Sequence, residues 1–219
     1  RIWAGTMGSS LYVYDPNDRQ WIRASQGLTA VGNITSLVES NGRLFCTVAS
    51  RTGVFIYDPA QRVWNQLEDG SQDFNNAVLF APLPGQLWAG VWQDMVFHLY
   101  LQGASGWERS DTGLPADRAI TTLAARPDGG LMAGMAGDGG VYLRQPNGDW
   151  RSNNAGLSGV DVNSLVFSRE GALWIGMAVG GIYSQSAPGE TWIPHSESLP
   201  DGSILSKVIQ AQDGGLFIY

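Results

Sequence analysis

Several things are scarce in this chain of 219 residues, and each scarcity removes a class of function. There is one cysteine, Cys46, so no disulfide can form within the chain and no cysteine cluster can hold a metal. Its column in the repeats described below also holds Ala4, Ala89, Ala133 and Ile175, which marks it as a small apolar core residue. The two histidines, His98 and His195, fall in different repeats and leave little material for a His metal site or a Cys–His nucleophile pair. Lys207 is the single lysine, and thirteen cations face twenty acids for a net charge of −7. With no basic run to displace counterions, nucleic acid and anionic membrane surfaces are not expected partners. No apolar run approaches the roughly 18 residues of a membrane helix, so direct membrane insertion within 1–219 is not expected. No leader-type segment opens the chain either, although position 1 already lies inside a repeat and leaves a leader, an anchor or further repeats open.

What the chain has is a spacing. Trp21, Trp64, Trp107, Trp150 and Trp192 are separated by 43, 43, 43 and 42 residues. Six positions after each come Gly27, Gly70, Gly113, Gly156 and, breaking the pattern, Ser198. A period of this length with aromatic and glycine landmarks indicates four-stranded propeller blades rather than helical repeats. At 43% hydrophobic and 15% charged residues, the chain has the apolar surface to fold as a single domain over 1–219.

Each repeat reads in the same order. A short buried strand (Arg1–Gly5, Arg43–Thr47, Gln86–Gly90, Gly130–Gly134, Ala172–Gly176) is followed by a loop of variable character. An aromatic strand comes next, as in Leu11–Tyr14 or Val54–Tyr57, then a turn rich in Pro, Asn, Asp and Gly, then the strand opened by the ladder tryptophan. A fourth apolar strand (Ile34–Val38, Ala77–Phe80, Ile120–Ala124, Val162–Phe167, Leu205–Ile209) closes the unit and is expected to be innermost. The ladder indoles are expected between adjacent blades, as scaffold. Because Gly215–Tyr219 matches the opening strand, the chain holds five blades or forms part of a six- to eight-bladed ring.

The repeat resembles the two-component regulator propeller repeat. The residues that carry the likeness are Ile2-Trp-Ala-Gly-Thr6, Leu87-Trp-Ala-Gly90, Leu173-Trp-Ile-Gly176, Gly139-Gly-Val-Tyr142, Gly180-Gly-Ile-Tyr183, Ile34-Thr-Ser-Leu37 and Val162-Asn-Ser-Leu165. The resemblance implies an extracytoplasmic setting, periplasmic or cell-surface, because such repeats form sensor regions outside the membrane. Nothing in 1–219 shows a membrane segment or a kinase. Ser186–Trp192 is similar to the Asp-box hairpin of sialidase-type and photosystem-assembly-factor propellers, without its Asp. Both resemblances specify a fold rather than a reaction.

Chemistry-bearing residues are dispersed. Asp15, Asp58, Asp128 and Asp213 sit at turns, where they make local hydrogen bonds. His98 aligns with Tyr12, Phe55 and Tyr183 and is expected to pack between sheets. A glycosidase would need two facing carboxylates, for which Asp94, Asp138 and Asp161 are the candidates, and a sialidase-like cluster would draw on Arg51, Arg118 and Arg144. Gly137–Gly140 leads from strand to strand and is a turn, not a phosphate loop. No pattern demands a metal or cofactor, and no enzyme is expected. The loops after the first strand gather with those entering the innermost strand at one mouth, bringing Asn33, Arg51, Asn76, Trp92, Gln93, Asp94, Arg118, Asp138, Asp161 and Asn163 to that face. Trp92 is singular: its counterparts are Met7, Ser50, Ala136 and Ala178. It could stack on a sugar ring, anchor a protein partner or cover its own loop. The expected function is non-catalytic recognition of a protein partner or an extended polar ligand, with a carbohydrate-sensing receptor region or a glycan-cleaving hydrolase as alternatives.

Overall fold

A computed structural model describes residues 1–8, 10–28, 33–49, 53–74, 76–157, 161–178, 181–197, 199, 207–211 and 215–218. It divides into two compact units, residues 1–110 and 111–219. The first unit opens with a three-stranded sheet: β1 (Trp3–Gly5), β2 (Leu11–Asp15) and β3 (Gln20–Arg23). Two four-stranded sheets follow: β4 (Ile34–Ser40), β5 (Arg43–Val48), β6 (Phe55–Asp58) and β7 (Val63–Gln66), then β8 (Val78–Phe80), β9 (Trp88–Gln93), β10 (Val96–Gly103) and β11 (Gly106–Arg109). The second unit holds β12 (Ile120–Ala125), β13 (Leu131–Met135), β14 (Gly140–Arg144) and β15 (Trp150–Ser152) in one sheet. Another contains β16 (Val162–Phe167), β17 (Leu173–Met177), β18 (Ile182–Gln185) and β19 (Ile193–Pro194), and β20 (Val208–Gln210) pairs with β21 (Leu216–Ile218). Every pairing is antiparallel. These are the blades of a β-propeller.

Each four-stranded sheet begins with the last strand of one repeat and takes three from the next, so the expected inner and outer strands lie at opposite edges. Period-two alternation then feeds two interfaces at once. From β5, Cys46 and Val48 join Leu11, Phe55 and Trp64 in the core shared with the first sheet, while Phe45 joins Leu79, Leu87 and Ala89 in the core shared with the third. In the second unit, Met132 and Val141 pack against Val162, Ile175 and Trp192.

The Ile-x-Ser-Leu motif has a structural cause. Pairing slips by one residue between Ile34 and Ser36, between Ile120 and Thr122, and between Val162 and Ser164. Such a bulge re-aims the side chains beside it. Ser36 Oγ accepts the Leu79 N–H of the next inner strand at 2.7 Å, and Ser164 Oγ accepts that of Val208 at 2.8 Å. The bulged Thr35 donates to the Ala77 carbonyl at 3.1 Å, and Thr121 donates to that of Val162. Neighbouring inner strands are therefore stitched side chain to backbone.

The tryptophan ladder works as scaffold where it is flanked on both sides. Trp64, Trp150 and Trp192 are buried, worth roughly 2–3 kcal/mol each by area. The Trp64 indole donates to the Ala24 carbonyl at 2.8 Å and that of Trp192 to the Asn153 carbonyl at 2.7 Å. The ladder glycine is explained by the same joint. Gly113 has φ of 94°, the Trp150 N–H donates to the Thr112 carbonyl, and a Cβ at Gly113 would lie 2.1 Å from the Trp150 oxygen. Trp21 departs from the pattern at 49% exposure, with Tyr14 packed on its ring at 5.3 Å. Trp107 departs differently: it donates to the Asp69 carboxylate at 2.9 Å instead of to a carbonyl.

Candidate functional site

In the first unit, the surface expected to carry function centres on the β9–β10 hairpin. The register sets Gln93 opposite Val96, which leaves Asp94 and Met95 as a two-residue turn. Both have positive φ, 50° and 63°, the geometry that matches a hairpin's twist and that Asn-Gly or Gly-Gly normally supplies. A methionine there holds a left-handed conformation against its own Cβ, and its side chain is 89% exposed. Trp92 is 42% exposed and meets Phe97, its cross-strand partner, edge to face at 5.5 Å. One edge of the indole thus covers its own hairpin and the remainder faces solvent. Gln93 is engaged, accepting the Tyr100 hydroxyl at 2.9 Å. Asn76 precedes β8 at the same end of this sheet, exposed and at φ of 49°.

The short turn also corrects an alignment. Ala4, Cys46, Ala89, Ala133 and Ile175 face Tyr12, Phe55, Tyr100, Tyr142 and Tyr183 across their strands. Tyr100, not His98, is therefore the third repeat's member of the aromatic column. His98 lies half-buried opposite Val91, edge-on to Tyr100 at 6.2 Å.

In the second unit, Arg118, Asp138 and Asp161 gather around Gly137. Asp161 accepts the Gly137 N–H at 3.2 Å, and Arg118 packs its stem over the same glycine. The Arg118 guanidinium is engaged by Asp117 at 2.8 Å. Asp138 is exposed at φ of 63°. Asn33 takes the place of Asp161 in the first unit, accepting the Gly8 N–H at 3.0 Å, so this column braces the loop of the preceding blade. Asn163 occupies the bulge held by Thr35 and Thr121 elsewhere. Asp161 and Asn163 thus belong to repeated scaffold positions, which removes the reason for reading them as individual contacts. Arg51 lies outside the described residues.

Two members of the arginine cluster considered from sequence, Arg118 and Arg144, do not come together. Arg118 sits at the loop end of β14 and Arg144 at the other end, about 13 Å of strand away. Burial lowers the pKa of the Arg144 guanidinium. Asp15, Asp58 and Asp128 accept amides of their own turns, from Asn17, Ala60 and Gly130. A contact that sequence reading missed joins Ser184 Oγ to His195 Nε2 at 2.8 Å, with Trp174 stacked on the ring at 4.6 Å. Ser184 pairs with Ile193 across β18 and β19, and His195, just past the end of β19, reaches it diagonally, a contact visible only once the register is known. Among the described residues, no three His, Cys, Asp or Glu are placed to hold a metal, and no helix is long and apolar enough to cross a membrane.

No protein-family model matches the chain, and no curated protein matches it in sequence. Solved structures do match. PorZ, a surface component of the type-IX secretion system of Porphyromonas gingivalis, aligns with a TM-score of 0.76 at 17% identity, over 99% of this chain and 35% of its own. The extracellular domain of the BT4673 one-component system of B. thetaiotaomicron gives 0.73 at 14%, over 99% and 29%. Virginiamycin B lyase of Staphylococcus aureus gives 0.74 at 11%, over 96% and 70%. The chain thus spans about a third of the first two. At these identities the likeness is one of fold: the chain is built as the propellers of extracellular sensor and surface proteins are, which bears out the resemblance read from its repeats.

Proposed function

We propose that the chain is a non-catalytic recognition module that takes a protein partner on the β9–β10 hairpin. One observation carries this reading: an exposed indole and an exposed methionine share a tip whose turn holds two non-glycine residues at positive φ. Exposed aromatic and thioether surface is the material of protein interfaces, and strain retained at a solvent-exposed tip indicates selection for something other than stability. Met95 beside Trp92 favours an apolar protein surface over a sugar, which would call for polar donors around the ring, and Gln93 is already taken by Tyr100. The fold is shared with sensor, surface and lyase proteins, so it separates none of these classes. What supports the non-enzyme reading is that Asp15, Asp58, Asp128, Asp161 and Arg118 are engaged in turns and blade joints. An extracytoplasmic setting, and one propeller domain across both units, fit the two surface neighbours and the 43-residue spacing that runs unchanged from Trp107 to Trp150.

The test is a peptide and glycan array probed with the wild type and with Trp92→Ala and Met95→Gly, whose folds are checked by thermal melting. Peptide ligands lost in both variants support the reading. Ligands retained by both variants, or glycan turnover abolished by Asp138→Asn, would defeat it.

A further inference from the structure

A groove of about 470 Å³ lies in the first unit, between the β2–β3 sheet edge and the β6–β7 turn. Arg1, Arg23 and Arg62 line it with Tyr14, Tyr57 and Ile22. In a chain of net charge −7 this is a concentration of positive charge, and among the described residues none of the three guanidiniums is paired with a carboxylate. The acid in the groove wall, Asp15, is committed to its own turn through the Asn17 N–H at 2.8 Å. An adjoining groove of about 580 Å³ shares Arg1 and Tyr57 and adds Arg43. Its acids are also engaged, Glu39 by the Gly42 N–H and Asp58 by those of Ala60 and Gln61.

Arg62 carries a second, independent observation. It stands two residues before its ladder tryptophan at φ of 57°, the position that Gly148 holds at 93° before Trp150. A glycine would serve this turn without strain, so the sequence maintains a charged side chain where the backbone prefers none. Arg19 occupies the same position of the preceding repeat at φ of 53° but does not line the groove.

We propose that this groove binds an acidic peptide segment whose carboxylates are taken by Arg1, Arg23 and Arg62. Planar guanidiniums suit carboxylates through paired, charge-assisted hydrogen bonds. A peptide is favoured over an acidic sugar because the aromatic rings are engaged: Tyr14 by Trp21 at 5.3 Å, and Tyr57 by Trp3 at 4.8 Å and Trp64 at 5.2 Å. Neither tyrosine is left unpartnered as a platform for a pyranose ring, whereas the half-exposed Ile22 of the groove wall offers apolar contact to peptide side chains. This site is independent of the β9–β10 hairpin.

The experiment measures binding of fluorescein-labelled hexaglutamate to residues 1–219 by polarisation, with polygalacturonate as the rival polyanion. The expected result is salt-sensitive hexaglutamate binding, weakened about tenfold in Arg62→Gly and in Arg23→Ala, the size of one lost charge-assisted contact. Arg62→Gly should melt at or above the wild type, which removes unfolding as an explanation. Arg19→Gly, the same change in charge and backbone outside the groove, and Trp92→Ala should bind as the wild type does. Equal losses in Arg19→Gly and Arg62→Gly, failure of hexaglutamate to bind, or preference for polygalacturonate would each overturn the proposal.

Discussion

The indole N–H of Trp192 donates to the carbonyl of Asn153 at 2.7 Å, three residues beyond the previous ladder tryptophan, as Trp64 does to Ala24. The bond is buried, so a variant that removes the donor strands a carbonyl out of reach of water. Trp192→Phe should cost roughly 1–3 kcal/mol in urea denaturation. Trp21→Phe, at the half-exposed rung, should cost under about 1 kcal/mol.

Two glycines with similar φ separate backbone strain from collision. Gly129 has φ of 84° with nothing within 4 Å of an added Cβ, whereas at Gly113 that carbon would sit 2.1 Å from the Trp150 oxygen. Gly129→Ala should cost about 1–2 kcal/mol, the left-handed penalty alone. Gly113→Ala should exceed about 3 kcal/mol, with the difference read as a lower urea midpoint.

At the Trp107 joint the carboxylate of Asp69 replaces the carbonyl. Its Oδ2 accepts Trp107 Nε1 and Gln102 Nε2, each at 2.9 Å, and its Oδ1 accepts the Ser71 amide and hydroxyl. Asn presents an NH₂ where an acceptor is required, so Asp69→Asn should destabilise by about 1–3 kcal/mol. Thermal melting beside Asp149→Asn, at an exposed turn, checks this.

Cys46 is fully buried, and burial pushes its thiol pKa far up. A disulfide-exchange reagent should therefore label it only after unfolding. The unfolded thiol ionises first as pH rises, so this group favours the unfolded state increasingly above the ordinary thiol pKa. Labelling of the native protein at the rate of a free thiol would contradict the burial.

Much of the scaffold was legible because it repeats. The tryptophan spacing located the blades, and the column of Cys46 and Ala89 correctly forecast a packed interface. What repetition cannot encode is register. His98 was misplaced by two residues because the β9–β10 hairpin is longer than its counterparts, with Tyr100 eleven residues after Ala89 where Phe55 follows Cys46 by nine, and no propensity marks Asp94-Met95 as its left-handed turn. The bracing role of Asp161 was hidden for the same reason: it depends on an amide in another repeat. Trp92 stood out in sequence by failing to repeat. Arg62 carried a signal as well, an arginine aligned with Gly148, but its meaning needed a backbone angle.

The serine joint between inner strands has an evolutionary consequence. Ser36 and Ser164 each grip a peptide N–H, a group that every non-proline residue offers, so the fit does not depend on the identity of the next repeat. A duplicated or lost repeat would find the same socket waiting. Copy number can then drift while each seam stays chemically intact, and individual loops are free to diverge without renegotiating the frame that holds them.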